Sequence, residues 1–247
     1  MIFKFAWRYF KGKKSTQAIQ IISWVSVIAM AVGTAALIIV LSVFNGFEST
    51  IKDLYTSFYP DIRITAMQRK NFEIKPGLIT QLRNLPEVKA ISQTLEEKVL
   101  LSTEEKQAIV TLKGVDTIYD SVTHFSENVS YGKMNFDTAQ DMPFIALGLG
   151  VSNSLGADEE SHFPVSCFVF KKDANISLDP SSIYNKEFFV VNALFVMPEI
   201  DPGYAFTSLS TLQNLAEKPN ICSSLEIKLK DNDAVISAQQ KINKILA

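Results

Sequence analysis

The sequence predicts an α+β protein: an N-terminal transmembrane helix with a stalk, then an exported domain with a split base and an inserted, smaller, mainly-β subdomain. Three observations predict it. Residues 15–47 carry no charged side chain. The residues just after them keep a helical period. From residue 61 onward, strand-like and helix-like segments follow a β-α-β-β … β-α order that opens at 61 and closes near 246.

The apolar centre of the uncharged stretch is residues 21–44, IISWVSVIAMAVGTAALIIVLSVF. As a helix it reaches roughly 36 Å, against a hydrocarbon layer about 30 Å thick. A soluble core helix would not be apolar on every side for so long. A signal peptide would end in a small-residue cleavage site, which Ser42-Val43-Phe44-Asn45-Gly46-Phe47 is not. Lys4, Arg8, Lys11, Lys13 and Lys14 precede the span with no acid among them, which places residues 1–20 in the cytoplasm. There Phe3, Trp7 and Phe10 share one helical face and Lys4, Arg8 and Lys11 another, the pattern of a short helix in the headgroup layer. Within the span, Ser26, Ala29, Gly33 and Ala36 form a stripe of small residues, which lets a partner helix approach. Asn45-Gly46 has the composition of a hairpin turn, but Phe47, Ile51, Leu54, Tyr55 and Phe58 continue a helical stripe. Residues 45–60 therefore read as an amphipathic stalk ended by Pro60.

The chain has 24 Lys+Arg and 26 Asp+Glu. Five of the basic residues precede the span, so the exported part carries 19 against 26 and a charge of about −7, which argues against a nucleic-acid partner. Cys167 and Cys222 lie in apolar, strand-like contexts (SCFVF, ICSSLEIKL). They read as partly buried thiols, with a disulfide as the alternative an exported compartment permits. Together with the distant His124 and His162 they do not form a zinc pattern.

In the exported domain, 61–66 (DIRITA) alternates as a strand. Leu78, Leu82 and Leu85 mark a helix between Pro76-Gly77 and Pro86. Residues 88–101 and 107–115 read as long strands joined by the polar turn 102–106. This β-α-β-β unit is the first half of a ferredoxin-like arrangement. Residues 116–143 give little signal. Residues 145–156 read as a helix closed by Gly156, 164–170 as a strand, 171–186 as a projecting polar loop and 187–197 as a buried strand. A short strand at 204–207 leads to a helix capped by Ser208 and running to Glu217. A strand at 223–230 and a helix with Val235, Ala238, Ile242 and Ile245 on one face complete the split base. The base is thus 61–115 and 223–247, with 116–222 inserted.

No catalytic constellation is present. There is no phosphate loop, HExxH or GxSxG. Gly148-x-Gly150 is not a dinucleotide fingerprint, since position 153 is Asn. Adjacent acids such as Glu96-Glu97, Glu104-Glu105 and Glu159-Glu160 point to opposite faces of a strand and read as surface. The reading is a non-catalytic protein with no cofactor and no metal.

Residues 22–65, with the core GTAALIIVLSVFNGFE at 33–48, closely resemble the first membrane helix of the LolC/LolE permeases, in the FtsX/MacB-like family of ABC transporters. Further resemblances follow in order: Lys113-Gly114-Val115-Asp116, the segment 148–156, Glu199-Ile200-Asp201 with Ser208-Leu209, and 225–231. The family's glycine-aspartate after 148–156 is replaced by Asp158-Glu159-Glu160.

The resemblance implies a permease subunit in the bacterial inner membrane, with its main domain periplasmic. Its expected partners are a separate cytoplasmic ABC ATPase, a second permease subunit, a lipoprotein cargo and a periplasmic lipoprotein carrier. Stalk helices would carry the ATPase's motion outward, and three further membrane helices would follow residue 247. Leu37, Val40, Leu41, Phe44 and Phe47 are then candidates for lining a cavity for acyl chains. Lys171, Lys172, Asp173, Ile176, Leu178, Pro180, Ile183 and Tyr184 are candidates for a partner-binding loop. The alternatives are a MacB-like efflux permease, FtsX-like mechanotransmission, and a membrane-anchored binding domain.

Overall fold

A computed structural model describes Lys4 and residues 17–56, 59–67, 69–134, 142–158, 163–171, 183–197, 200–231 and 234–246; within the first helix, side chains are described for 21–48. The amphipathic face expected at Phe3, Trp7 and Phe10 lies outside these residues, and so does Phe58. The chain divides into two compact units, Met1–Leu54 and Tyr55–Ala247.

The first element is the helix α1, Gln17–Thr56, which supplies most of the first unit. It passes Asn45-Gly46 without a break, so the helical period of the flanking residues overrides the turn-forming pair. Its Ile21–Glu48 portion is long and apolar enough to cross a membrane. Two of its hydroxyls are satisfied inside the helix: Ser26 Oγ donates to the Ile22 carbonyl at 2.9 Å and Thr34 Oγ1 to that of Met30. A helix in lipid needs this, because no water is there to take those protons.

In the second unit, β1 (Ile62–Thr65), the two-residue β2 (Phe72–Glu73), α2 (Leu78–Arg83), β3 (Val88–Ser102) and β4 (Gln107–Val115) come first. Then come α3 (Tyr119–Thr123), a 3-10 turn (Phe125–Asn128) and β5 (Val129–Gly132). These fill part of the stretch where the sequence gives little signal. Next are β6 (Phe144–Gly148), α4 (Leu149–Leu155), β7 (Val165–Phe170), β8 (Tyr184–Phe195), β9 (Tyr204–Ser208) and α5 (Leu209–Leu215). The two-residue β10 (Ile221–Cys222), β11 (Ser224–Leu229) and α6 (Val235–Leu246) close the chain.

Nine of the described strands form one sheet, in the order β1-β11-β3-β4-β9-β6-β8-β5, with β7 bridging β3 and β8. The base and the inserted segment therefore share a sheet, and β3 is the reason. Its 15 residues are long enough to serve two cores. Val88 and Ile91 pack with Leu82, Leu225, Ile227, Ala238 and Ile242 under α2 and α6. Leu95, Val99 and Leu101 pack in a second cluster with Leu112, Ile145, Leu147, Val165, Cys167, Phe189 and Leu212.

The bridge made by β7 closes a ring: β3, β4, β9, β6, β8, β7 and back to β3. The pairings β4–β9 and β6–β8 are parallel; the other four are antiparallel. The ring has an internal two-fold pattern. Each half is an antiparallel hairpin (β3–β4 or β7–β8) followed by a five-residue strand running directly into a seven-residue helix (β6–α4 or β9–α5). Each short strand pairs in parallel with the other half's hairpin. The strand-to-helix residues match in backbone as well, with φ −63°, ψ 146° at Gly148 and φ −66°, ψ 145° at Ser208.

Two expectations are corrected. Residues 145–148 are strand, not the start of a helix. β6 lies between β8 and β9, and an apolar run covered on both sides shows no period to tell strand from helix. Residues 184–186 belong to β8, not to a loop. The cysteines are free and fully buried, in separate clusters, and burial pushes both thiols up to about 12. Ser208 caps α5 as expected, its Oγ accepting from Thr211 N at 3.1 Å.

Gly148 shows what the strand-to-helix turn demands: a Cβ there would lie 2.1 Å from the Asp201 carbonyl oxygen. Gly148→Ala is expected to lower stability by about 1–3 kcal/mol or more through forced backbone displacement, read as a shifted unfolding midpoint of the detergent-solubilised protein.

Candidate functional sites

In α1, the small-residue stripe and the proposed cavity residues fall on one side of the helix, since each residue turns about 100°. Ser26, Ala29, Gly33 and Ala36 occupy its first part, and Leu37, Val40, Leu41, Phe44 and Phe47 continue it with large side chains. All are exposed on the helix. One face thus changes from small to bulky at residues 36 and 37.

A second site gathers stretches far apart in sequence. Among the described residues β1 is an edge strand, paired with β11 alone. Just before it, Asp61 Oδ1 pairs with Lys228 Nζ at 2.9 Å and its Oδ2 accepts from Leu229 N at 2.7 Å. From β1, Arg63 donates to Glu96 Oε1 at 2.8 Å and to Ser224 Oγ at 3.1 Å. Beneath it, Lys113 Nζ contacts Glu226 Oε1 at 2.7 Å, with both side chains almost wholly buried. The Thr94 and Ser224 hydroxyls, 2.8 Å apart, donate to the same Glu226 Oε1 at 3.4 and 3.5 Å. Lys113 also stands 4.9 Å over the Tyr119 ring of α3. Asp116 accepts from Ser92 Oγ at 2.6 Å and Gln93 N at 2.8 Å. Burial nevertheless holds its carboxyl above the ordinary value. Tyr119 is raised well above the usual phenol by burial and then by the Glu226 charge.

The third site is the β7–β8 hairpin. Lys171 N donates to the Ile183 carbonyl at 2.9 Å, and Phe170 faces Tyr184 across the ladder. Lys172, Asp173, Ile176, Leu178 and Pro180 lie outside the described residues. Period-two alternation puts Val165, Cys167 and Val169 inside and Phe168 and Phe170 outside. Phe168 meets Tyr184 edge-on at 5.0 Å, and Lys186 Nζ sits 4.3 Å from the Phe188 ring and 5.3 Å from that of Phe168. The result is an outward aromatic stripe, with Phe170 60% and Phe188 42% exposed. The sequence reading singled out Tyr184 and missed Phe168, Phe170, Lys186 and Phe188. The alternation in SCFVF was the signal available.

The family described as MacB-like periplasmic core domain matches residues 23–245. The chain belongs to this family. It is 23% identical over 237 residues to the lipoprotein-releasing system transmembrane protein LolE of Haemophilus influenzae, covering 93% of this chain and 55% of that protein. It is 25% identical over 228 residues to LolC of Neisseria meningitidis, covering 91% and 53%. The chain therefore spans about half the length of these relatives. Among solved structures, the periplasmic region of MacB from Actinobacillus actinomycetemcomitans superposes with a TM-score of 0.52 at 15% identity, over 72% of this chain and 74% of that one. That likeness supports the mixed α+β fold.

In this MacB-like domain the family-resembling motifs have structural explanations. From the last strand Glu226 meets Lys113 and Lys228 meets Asp61, Asp116 accepts from Ser92, and Gly148 makes room for Asp201. Among the described residues no group of His, Cys, Asp and Glu is placed to hold a metal.

Two outcomes follow from this geometry. Lys113→Met leaves Glu226 buried with only the longer 3.9 Å contact to Arg63 as a charged partner and is expected to cost about 3 kcal/mol, with much of it recovered in Lys113→Met/Glu226→Leu; chemical denaturation of the three proteins measures it. Burial pushes Glu97 up, but Lys218, Asn71 and Lys70 outweigh it and hold the carboxyl below its ordinary 4.5. Its contribution to stability is present above that value and lost as pH falls through the lower folded value. Glu97→Gln should therefore flatten the acid limb of a melting-temperature profile relative to wild type.

Proposed function

We propose that this chain is the N-terminal part of a permease subunit of an ABC transporter that releases lipoproteins from the bacterial inner membrane. In this reading residues 1–20 are a cytoplasmic amphipathic segment, 21–44 cross the membrane, 45–60 are a periplasmic stalk and 61–247 form the periplasmic domain. ATP hydrolysis belongs to a separate ATPase subunit, and this chain is non-catalytic. The observation that carries the reading is the family match over residues 23–245 together with a helix that continues unbroken past Gly46. Relatives named for lipoprotein release support the cargo.

The bulky half of the α1 face, Leu37 to Phe47, is the surface we assign to acyl chains. The small half, Ser26 to Ala36, packs against the second permease subunit, where close approach of backbones substitutes for hydrophobic driving force. The β7–β8 hairpin contacts a periplasmic lipoprotein carrier through Lys171, Ile183, Tyr184 and the intervening loop. A MacB-like efflux role is the second reading, favoured by the fold likeness to the MacB periplasmic region.

The test is co-purification of the full-length protein with its genomic neighbours and mass spectrometry of bound acylated material. Recovery of an ATPase and a lipoprotein is expected; an outer-membrane channel partner without lipoprotein would move the assignment to efflux. Gly33→Leu should reduce recovery of the second permease subunit by about fivefold or more, by blocking the close helix approach.

A further inference from the structure

The strand β1 is four residues long and stands at the edge of the sheet, yet it is the first strand of the domain after α1. Its ladder to β11 runs Ile62–Ile227, Arg63–Glu226, Ile64–Leu225, Thr65–Ser224. Ile62 and Ile64 are only half-buried against the α2/α6 cluster. So short an edge strand resists sliding poorly. A slip of one residue would turn its isoleucines away from the core, so the accessible slip is two residues, about 6.6 Å. Side-chain alternation does not oppose a slip of two. What does oppose it are two charged side chains of fixed reach. Asp61 is held by Lys228 and by Leu229 N at the strand's start. Arg63 reaches past β11 to Glu96 on β3, touching Ser224 on the way.

The partners of this clamp are themselves fixed. Glu96 lies opposite Lys113 in the β3–β4 ladder, and Lys113 is locked to Glu226 in a pair that is almost wholly buried. Glu226 is also the register partner of Arg63. Arg63 is 41% exposed at its side chain, and an exposed pair contributes little to stability. Its geometric effect is the larger one, because it ties an edge strand to a central strand across the one between.

Resting on the permease reading above, we propose that Asp61 and Arg63 form a register lock that makes β1 move with the sheet as one body. A displacement of the chain before β1 is then passed to the β3–β4 hairpin and not dissipated by strand slip. Asp61 and Arg63 are positioning residues in this scheme and touch no cargo.

The test uses the full-length permease assembled with its partner subunit and ATPase in phosphatidylethanolamine–phosphatidylglycerol vesicles. A fluorescent triacylated lipoprotein is the cargo, with soluble carrier outside. For Asp61→Asn/Arg63→Ala, ATP hydrolysis should stay within about two-fold of wild type while release falls about ten-fold or more, and Arg63→Lys should retain at least about half of the release. Hydrogen exchange on the same assemblies gives a readout independent of cargo. The amides among 62–65 that donate to β11 should stay protected with and without ATP in wild type, and lose protection on ATP addition in the double variant. Release by the double variant within about two-fold of wild type, or unchanged protection at 62–65, overturns the lock. A parallel fall of hydrolysis, release and melting temperature also overturns it, by making the clamp merely structural. Wild-type hydrolysis with no release at all overturns the lipoprotein reading, and the exchange measurement still decides the lock.

Discussion

The periplasmic-type domain depends on one constraint: β3 must serve two hydrophobic cores at once. Its first turns of alternation face α2 and α6, and its second half faces the ring of six strands. A strand of 15 residues can do this where an average strand could not. Because both cores share its backbone, neither can tilt freely against the other, and what might have been a hinge between a base and an insert is continuous hydrogen-bonded sheet.

That continuity gives the polar cluster its setting. A lysine and a glutamate buried beside each other cost more to desolvate than a pair of apolar residues of the same size. Their value here is directional. Lys113 comes from β4, Glu226 from β11, and β3 runs between them, so their contact fixes three strands in one register. Arg63 extends the same network to the edge, and Asp61 holds the start of β1 to β11 through Lys228 and Leu229 N. The cluster thus ties the start of the domain to its end through side chains whose geometry tolerates little error.

The helix poses the opposite problem. Its side chains from Ile21 to Phe47 are mostly apolar and, Ser23 apart, exposed, a surface stable only against lipid tails or other helices. In the function proposed above, the two halves of its one face serve different ends. Small residues allow backbone approach, and large ones leave a surface that other chains of hydrocarbon can wet. The β7–β8 hairpin follows a similar logic in water. An exposed aromatic stripe with a lysine laid across two rings costs solubility, a cost natural for a surface with a partner.

Local rules were enough for elements whose patterns are self-contained. The membrane helix was legible from its missing charges, β3, β4, β7 and α6 from alternation or helical spacing, and α5 from the Ser208 cap. β6 was not, because a short apolar run covered by neighbours on both sides has no period. Nor was α3, whose five residues are too few to show a helical period. The ring of strands, its two-fold pattern, the pairing of Lys113 with Glu226 and the meeting of Arg63 with Glu96 were decided only by tertiary structure. The sequence determined which residues are apolar, which are charged and where the chain must turn. It could not determine which distant strands become neighbours, since strand pairing depends on backbone groups that every residue carries alike.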